Sequence, residues 1–201
     1  MSGGSFNAPE DIVHFWFDEL QPSQWYKGDA ALDSLIRRRF GAACHALLGE
    51  VSLAGHAWMA DAHSALALIL LTDQFPRHVW RGSNAAYALD PLAREVTASM
   101  LDLGFDLSLG EAQRSFVYTP LMHSEDLEDQ ALCVALCEER LGPEDSTTRH
   151  ARLHFDVIAK FGRFPHRNEA LMRASTPEEA AFLAGGGYAP GAKRPAKSSD
   201  G

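Results

Sequence analysis

The chain of 201 residues carries a formal net charge of −9, with 27 acidic residues against 18 lysines and arginines. This balance excludes nucleic-acid binding through a basic face, because such binding neutralises phosphates and releases their counterions. It also gives no reason to expect attachment to anionic membranes. Hydrophobic residues make up 46% of the chain, enough for the core of one domain. We expect that domain over residues 1–184, followed by a disordered tail over 185–201 that is rich in Gly, Pro and Ser.

The same composition favours the reducing cytosol. Residues 1–7 are small and polar and lack the basic and apolar regions of a secretory signal. The most apolar run, residues 65–71, is too short to span a bilayer. Three cysteines are an odd number and form no disulfide framework. We therefore predict a cytoplasmic protein, and since no Gly-rich phosphate loop appears, we predict no cofactor.

Helical patterns follow one another from the beginning of the chain to residue 184. Apolar residues recur every three to four positions, and no stretch alternates with the period of two that a strand requires. The predicted helices cover about residues 8–20, 30–47, 58–72, 91–103, 110–118, 125–141, 147–161 and 177–184. This pattern predicts an all-α fold of about seven to nine helices.

Capping residues and prolines set the expected ends of these helices. Polar residues precede most of the apolar patterns and are expected as N-caps: Asn7, Asp29, Asp90, Ser124, Ser146 or Thr147, and Thr176. Thr176 begins a capping box with Pro177 in the first turn. Phe75-Pro76 and Pro120 are expected to end helices, because the residue before a proline is pushed out of the α region.

Two segments, residues 73–78 and 162–168, share a Phe-Pro design. In each, Phe-Pro follows an apolar helix and is followed directly by cations. One interpretation is structural, since Arg and His can donate to the free carbonyls at a helix end. The other is a cationic pocket, formed if the two Phe-Pro turns meet in space. Its cations would be Arg77, His78, Arg81, Arg163, His166 and Arg167, and arginine grips carboxylate or phosphate groups with two hydrogen bonds.

A third segment, His123-Ser124-Glu125-Asp126, can join these turns. Its carboxylates can neutralise the cations in a structural ion-pair network. Alternatively, His123, Glu125 and Asp126 can act as acid, base or metal ligands.

A metal site that also uses His150 and His154 is conceivable, because their spacing of four places both rings on one helix face. The zinc-protease pattern fails, however, since Ala151 stands where that pattern has Glu. Histidines beside an apolar stripe are more often packed than ligating, so we predict no metal.

Several blocks in order resemble the bacterial domain of unknown function nine-two-four. They are Phe15-Trp16-Phe17, Trp25-Tyr26, residues 65–70 leading into Asp73-Gln74-Phe75-Pro76-Arg77, Arg81-Gly82, Pro120 to Asp126 with Gln130, Phe161 to Asn168, Ser175-Thr176-Pro177-Glu178-Glu179, and Phe182-Leu183. The resemblance implies a tetratricopeptide-like fold of stacked antiparallel helix pairs, although no 34-residue repeat is visible. It brings no established activity.

The resemblance also bears on the candidate site residues. It draws attention to residues 123–125 and to Arg163, His166, Arg167 and Asn168. Similar proteins often have Asn where this chain has His78, which argues against a catalytic role for that histidine.

Three hypotheses about function remain open. The fold analogy favours a module that binds a protein or peptide in a concave groove. The second is a site or enzyme for an anionic metabolite, in which arginines grip the anion and His123 or His166 is the acid or base. The candidate ligand-binding residues are Arg77, Arg163, His166, Arg167, Asn168 and Asp126, with Glu125 or Asp126 orienting the histidine. The third is a purely structural network, which predicts that Arg167→Ala unfolds the protein.

Overall fold

The computed structural model describes residues 8–25 and 28–188, and their regular secondary structure consists of helices alone. The all-α prediction is therefore confirmed. The α-helices are α1 (Pro9–His14), α2 (Ala30–Leu47), α3 (Ala62–Ile69), α4 (Phe75–Val79), α5 (Asp90–Asp102), α6 (Glu111–Met122), α7 (Leu127–Arg140), α8 (Ser146–Phe161) and α9 (Pro177–Ala184). In the described part of the chain, no helix combines the length and apolar character needed to cross a bilayer.

The core is built around α3, which is apolar on almost all sides. Residues 65–71 are buried, because α3 contacts α1, α5 and α6. Aromatic rings from four different elements pack beside it: Phe15, Trp16, Phe40, Phe75 and Phe116. Burial of such side chains contributes about 1.5–3 kcal/mol each, so this cluster holds the first half of the chain together.

The helix that begins with α3 does not end at Phe75-Pro76, so that prediction was wrong. A π-helical turn, Leu70–Gln74, follows α3 and runs directly into α4. Pro76 then stands in the first turn of α4, where a missing backbone N–H is tolerated. The wider turn leaves Asp73 and Gln74 buried. Single π-helical turns within α-helices are frequent at functional sites.

The prediction that Pro120 ends its helix was also wrong, because α6 continues to Met122 with Pro120 inside it. Proline has no N–H to donate to the carbonyl four residues earlier, which is that of Phe116. The Thr119 hydroxyl lies 2.9 Å from the Phe116 oxygen. The single proton of this hydroxyl is shared between that carbonyl and Asp73, which lies at the same distance.

Three helices have other N-caps than the sequence predicts, and for α5 the N-cap is Leu89 rather than Asp90. Asp126, rather than Ser124, caps α7 by accepting from the Glu128 N–H. Asp145, rather than Ser146 or Thr147, caps α8 by accepting from the Thr147 N–H. A carboxylate at this position interacts favourably with the positive end of the helix dipole.

The caps at Asp29 and Thr176 are as predicted. Asp29 accepts from the Ala31 N–H at 2.8 Å, and Thr176 forms the capping box that opens α9. The predicted cap Asn7 lies outside the described residues. So does most of the predicted tail, residues 189–201, although Gly185 ends α9.

The second half of the fold places the ends of several helices side by side. Helix α7 packs against α6 and α8, and α5 packs against α3 and α6. His123 follows the last residue of α6, and Asp90 opens α5. The second Phe-Pro turn follows α8, so its side chains reach the ends of α4, α5 and α6.

Candidate functional site

The two Phe-Pro turns meet at a cavity of about 140 Å³. The first turn contributes Arg77 and Arg81, and the second contributes His166 and Arg167. The sequence leaves open whether these turns touch, and the structure brings them together. The cavity is also lined by polar side chains from three further segments: Tyr87, His123 and His154.

Asp73 organises one wall of the cavity. This fully buried carboxylate accepts hydrogen bonds from Arg77 Nη2 at 2.9 Å and from His123 Nδ1 at 2.8 Å. Thr119 and Gln74 are its other hydrogen-bond partners. Burial alone would raise the pKa of Asp73, but the charge of Arg77 and the hydrogen bonds from His123 and Thr119 outweigh it and hold the pKa well below 3.8. Asp73 is therefore ionised and can only accept.

An ionised Asp73 fixes the protonation of His123. Since the carboxylate can only accept, His123 Nδ1 must carry a proton. Burial lowers the pKa of His123, and the opposing effect of Asp73 does not restore it. The imidazole is therefore neutral near pH 7, with an unprotonated Nε2. This Asp–His arrangement is the one that orients a general base in enzymes.

Arg167 contacts two aromatic rings at the cavity. Its guanidinium carbon lies 4.8 Å from the centre of the Tyr87 ring and 4.6 Å from that of Phe164. The residue is only 5% exposed. Its ion-pair contact is long, with Nη1 3.7 Å from Asp90, and Nε has no hydrogen-bond partner among the described residues. Burial and the nearby Arg77 lower the pKa of Arg167 from 12.5 to about 10.

Arg77 has a better match of charges than Arg167. It contacts Asp73 at 2.9 Å and Asp90 at 3.1 Å. Burial opposes its charge, but Asp90 and Asp73 together raise the pKa of Arg77. Its Nε is nevertheless enclosed without a partner in the described part of the chain. Arg77 is thus held in place by the fold.

Two more histidines complete the cavity wall. Burial and the charge of Arg167 lower the pKa of His166 to about 3, so this ring is neutral. His154 Nδ1 lies 2.8 Å from the carbonyl oxygen of His150. Burial and the neighbouring His123 hold the pKa of His154 well below 6.5.

The structure places four predicted site residues outside the cavity. Arg163 pairs with Glu179 at 2.6 Å, and Asn168 donates to the same carboxylate. Glu125 is gripped at both oxygens by Arg173 and does not orient a histidine. Asp126 is the exposed cap of α7. Arg163 and Asn168 fasten the second Phe-Pro turn to α9, and Glu125 fastens it to the loop before α7.

Sequence reasoning missed three residues that shape the cavity. Asp73 stands four residues before Arg77, a spacing that favours a pair on one helix face, and this signal was available. Asp90 is predicted as a cap, yet it is the first residue of α5 and its carboxylate contacts Arg77 and Arg167. No sequence signal marks Tyr87.

Within the described residues, no group of three or more His, Cys, Asp or Glu side chains is arranged to hold a metal ion. The conceivable set of His150, His154, His123 and Glu125 does not converge. The His150 ring contacts Tyr188 instead, and Glu125 is occupied by Arg173.

His78, another cation of the first turn, pairs with Asp33 at 2.7 Å. Asp33 also receives two hydrogen bonds from Arg81. Two of the three guanidinium nitrogens of Arg81 therefore donate to Asp33. Arg77 and Arg167, the other two arginines at the cavity, are more deeply buried than Arg81.

Two comparisons relate this chain to known proteins. The chain is similar to a protein of unknown function from Agrobacterium tumefaciens, with 40% sequence identity and a TM-score of 0.79. The match covers 89% of this chain and 97% of that protein. No curated protein matches. The family model described as "bacterial protein of unknown function (DUF924)" matches residues 12–187, and the chain therefore belongs to this family.

Proposed function

We propose that the protein binds a small anionic metabolite in the cavity between the two Phe-Pro turns. The observation that carries the proposal is Arg167, a 95% buried cation with an ion-pair contact of 3.7 Å and an unpartnered Nε. A buried charge without good partners destabilises a fold. An anion in the cavity would supply the partner that the described residues do not.

Arg77 lies beside Arg167. Both guanidinium groups contact Asp90 and the Tyr87 ring. Both arginines line the cavity, and two guanidinium groups together suit one carboxylate or phosphate group. The cavity of 140 Å³ is smaller than the usual ligand pocket of about 300–1,000 Å³, so we infer that it takes an anionic group on a short carbon skeleton.

The same cavity has a group suited to acid–base chemistry. His123 carries its proton on Nδ1 toward Asp73, and Nε2 is the basic atom of the ring. A bound anion held by Arg77 and Arg167 lies in the cavity that His123 also lines. We therefore extend the proposal to an enzyme in which His123 moves a proton of the bound metabolite.

The test is calorimetric titration of the purified protein with propionate and with inorganic phosphate. Binding by the native protein and its loss in Arg167→Gln are expected, because glutamine is neutral and shorter. The control is Arg152→Gln, which removes an arginine that pairs with Glu138 at the surface and does not line the cavity. Equal binding by native protein and Arg167→Gln, or no binding of either anion, would contradict the proposal.

Peptide binding on a tetratricopeptide-like stack of helix pairs is a second candidate. The observation in its favour is a groove of about 360 Å³ between α5 and α7, lined partly by Leu101, Leu121 and Leu132. Leu132 is 45% exposed. Selection of peptides from a displayed library, with loss of binding in Leu132→Glu, would support this function. The reducing cytosol suits either candidate, because Cys44, Cys133 and Cys137 are unpaired.

A further inference from the structure

We propose that the ligand is a short 2-hydroxy carboxylate, whose hydroxyl group donates a hydrogen bond to Nε2 of His123. This inference rests on the proposed anion site and names the class of metabolite that it takes. The inference follows from histidine nitrogens that can accept a hydrogen bond, whereas the proposed function follows from the guanidinium groups that donate.

Two histidines in the cavity are held by the same kind of contact. His123 Nδ1 lies 2.8 Å from the Asp73 carboxylate, and His154 Nδ1 lies 2.8 Å from the His150 carbonyl oxygen. Both partners are acceptors, so both Nδ1 atoms must carry protons. The two rings are close, with centroids 6.0 Å apart. Each ring therefore keeps its remaining nitrogen, Nε2, for another partner.

Both rings are neutral at physiological pH, because burial lowers the pKa of His123 and of His154. In a neutral ring with a protonated Nδ1, Nε2 is an acceptor. No described residue forms a hydrogen bond with either Nε2 atom. The cavity is thus lined both by guanidinium donors, Arg77 and Arg167, and by rings with an unprotonated nitrogen, His123 and His154.

A simple carboxylate satisfies only the guanidinium donors of the cavity. Its oxygens accept from Arg77 and Arg167, but it has no proton to give to His123. A neighbouring hydroxyl supplies that proton, and a short hydroxy acid fits the small cavity. A site that pairs with a hydroxyl group discriminates strongly against the analogue without it, because its own polar group is then left unpaired.

Charge balance favours a monoanion over a dianion. Arg77 and Arg81 each have a carboxylate within 3.1 Å, whereas the ion-pair contact of Arg167 with Asp90 is 3.7 Å long. The three imidazoles add no charge, since each has a lowered pKa. One cation therefore lacks a close partner, and a dianion such as a phosphate ester would bring one negative charge more than that cation matches. A carboxylate brings one.

The test compares lactate with propionate, which differ by one hydroxyl group. Lactate is expected to bind at least about tenfold more tightly, which corresponds to one hydrogen bond at about 1.4 kcal/mol per factor of ten. In His123→Asn the ratio is expected to fall to about one. Asparagine can keep a donor near the position of Nδ1 for Asp73, but it removes Nε2. The control is His63→Asn, an exposed histidine that does not line the cavity.

The outcomes separate this inference from the proposed function. Equal binding of lactate and propionate, both lost in Arg167→Gln, would overturn the hydroxyl contact and leave the anion site standing. Binding of inorganic phosphate without lactate would do the same. No binding of any of the three would overturn both.

A second measurement does not depend on the variant folding. Nitrogen-15 NMR of the native protein distinguishes the two neutral tautomers of each histidine. Protonated Nδ1 and unprotonated Nε2 are expected for His123 and His154. A proton on Nε2 of His123 would overturn the inference.

Discussion

Replacing Arg167 by methionine is expected to raise the free energy of unfolding of this protein. Arg167 is buried, and its pKa falls from 12.5 to about 10 in the folded chain. At about 1.4 kcal/mol per pKa unit, keeping this side chain charged at neutral pH costs the fold about 3 kcal/mol. Methionine removes the charge and remains an unbranched apolar side chain that fits between two rings.

The gain is reduced by what the guanidinium contributes. Its contacts with the rings of Tyr87 and Phe164 contribute about 1 kcal/mol each. The 3.7 Å contact with Asp90 is too long for a strong hydrogen bond. The expected net effect is a stabilisation of about 1 kcal/mol. Stability would thus improve while anion binding is lost.

Replacing Arg77 by methionine is expected to lower the free energy of unfolding. Arg77 holds Asp73 and Asp90 at 2.9 and 3.1 Å, and these carboxylates raise its pKa. Arg77→Met leaves Asp73 buried and ionised without its arginine, a change that typically costs about 3–5 kcal/mol. The two variants therefore separate an arginine that stabilises the fold from one that is held there at a cost.

Urea unfolding followed by circular dichroism measures the free energy of unfolding of both variants. An unchanged dependence of this free energy on urea concentration is the check on two-state behaviour. A loss of several kcal/mol in Arg167→Met would refute the reasoning. It would show that Arg167 is a structural cation, as the third hypothesis from the sequence predicts.

Three further predictions concern stability. Lowering the pH from 8 to 5 should cost about 2 kcal/mol through His166 alone, at about 1.4 kcal/mol per pH unit. The pKa of His166 is about 3 in the folded chain and 6.5 ordinarily. Below pH 6.5 the unfolded chain therefore binds a proton that the folded chain does not. The stability that is present above pH 6.5 is lost as the pH falls. The measurement is the free energy of unfolding between pH 8 and pH 5. In His166→Phe this free energy is expected to fall less steeply with falling pH, and an equal fall in both proteins would contradict the prediction. Asp126→Ala should cost about 1 kcal/mol through loss of the α7 cap and leave propionate affinity unchanged by calorimetry, and a weakened affinity would place Asp126 in the site. Gly162→Ala should lower the melting temperature by the equivalent of about 1 kcal/mol, because Gly162 has a φ of +67°; no change would show that the backbone there relaxes freely.

The helices could be predicted from the sequence because their signals are local. Asp29 and Thr176 act within one turn of their own helices, and the apolar periodicity needs no knowledge of neighbouring helices. The helix ends at Pro76 and Pro120 could not be predicted in this way. Each depends on how the surrounding backbone accommodates a missing N–H, through a π-helical turn in one case and through Thr119 in the other.

The candidate site was predictable as a region but not residue by residue. Arg163 and Arg167 lie four residues apart in one turn, and nothing in their spacing shows that only Arg167 faces the cavity. Their difference comes from partners distant in sequence, Glu179 for Arg163 and Tyr87 for Arg167. The pairing of His123 with Asp73 likewise spans 50 residues. Such contacts depend on helix packing, which the sequence pattern does not specify.

The π-helical turn between α3 and α4 makes the site sensitive to chain length. One extra residue in a helix rotates everything that follows by about 100°. Arg77 belongs to α4, after the turn, and its direction depends on that rotation. Deleting a single residue there would restore a regular helix and turn the guanidinium away from the cavity, with every cavity side chain still present. A binding site of this kind can therefore be gained or lost in one insertion or deletion event, without any substitution among the residues that form it.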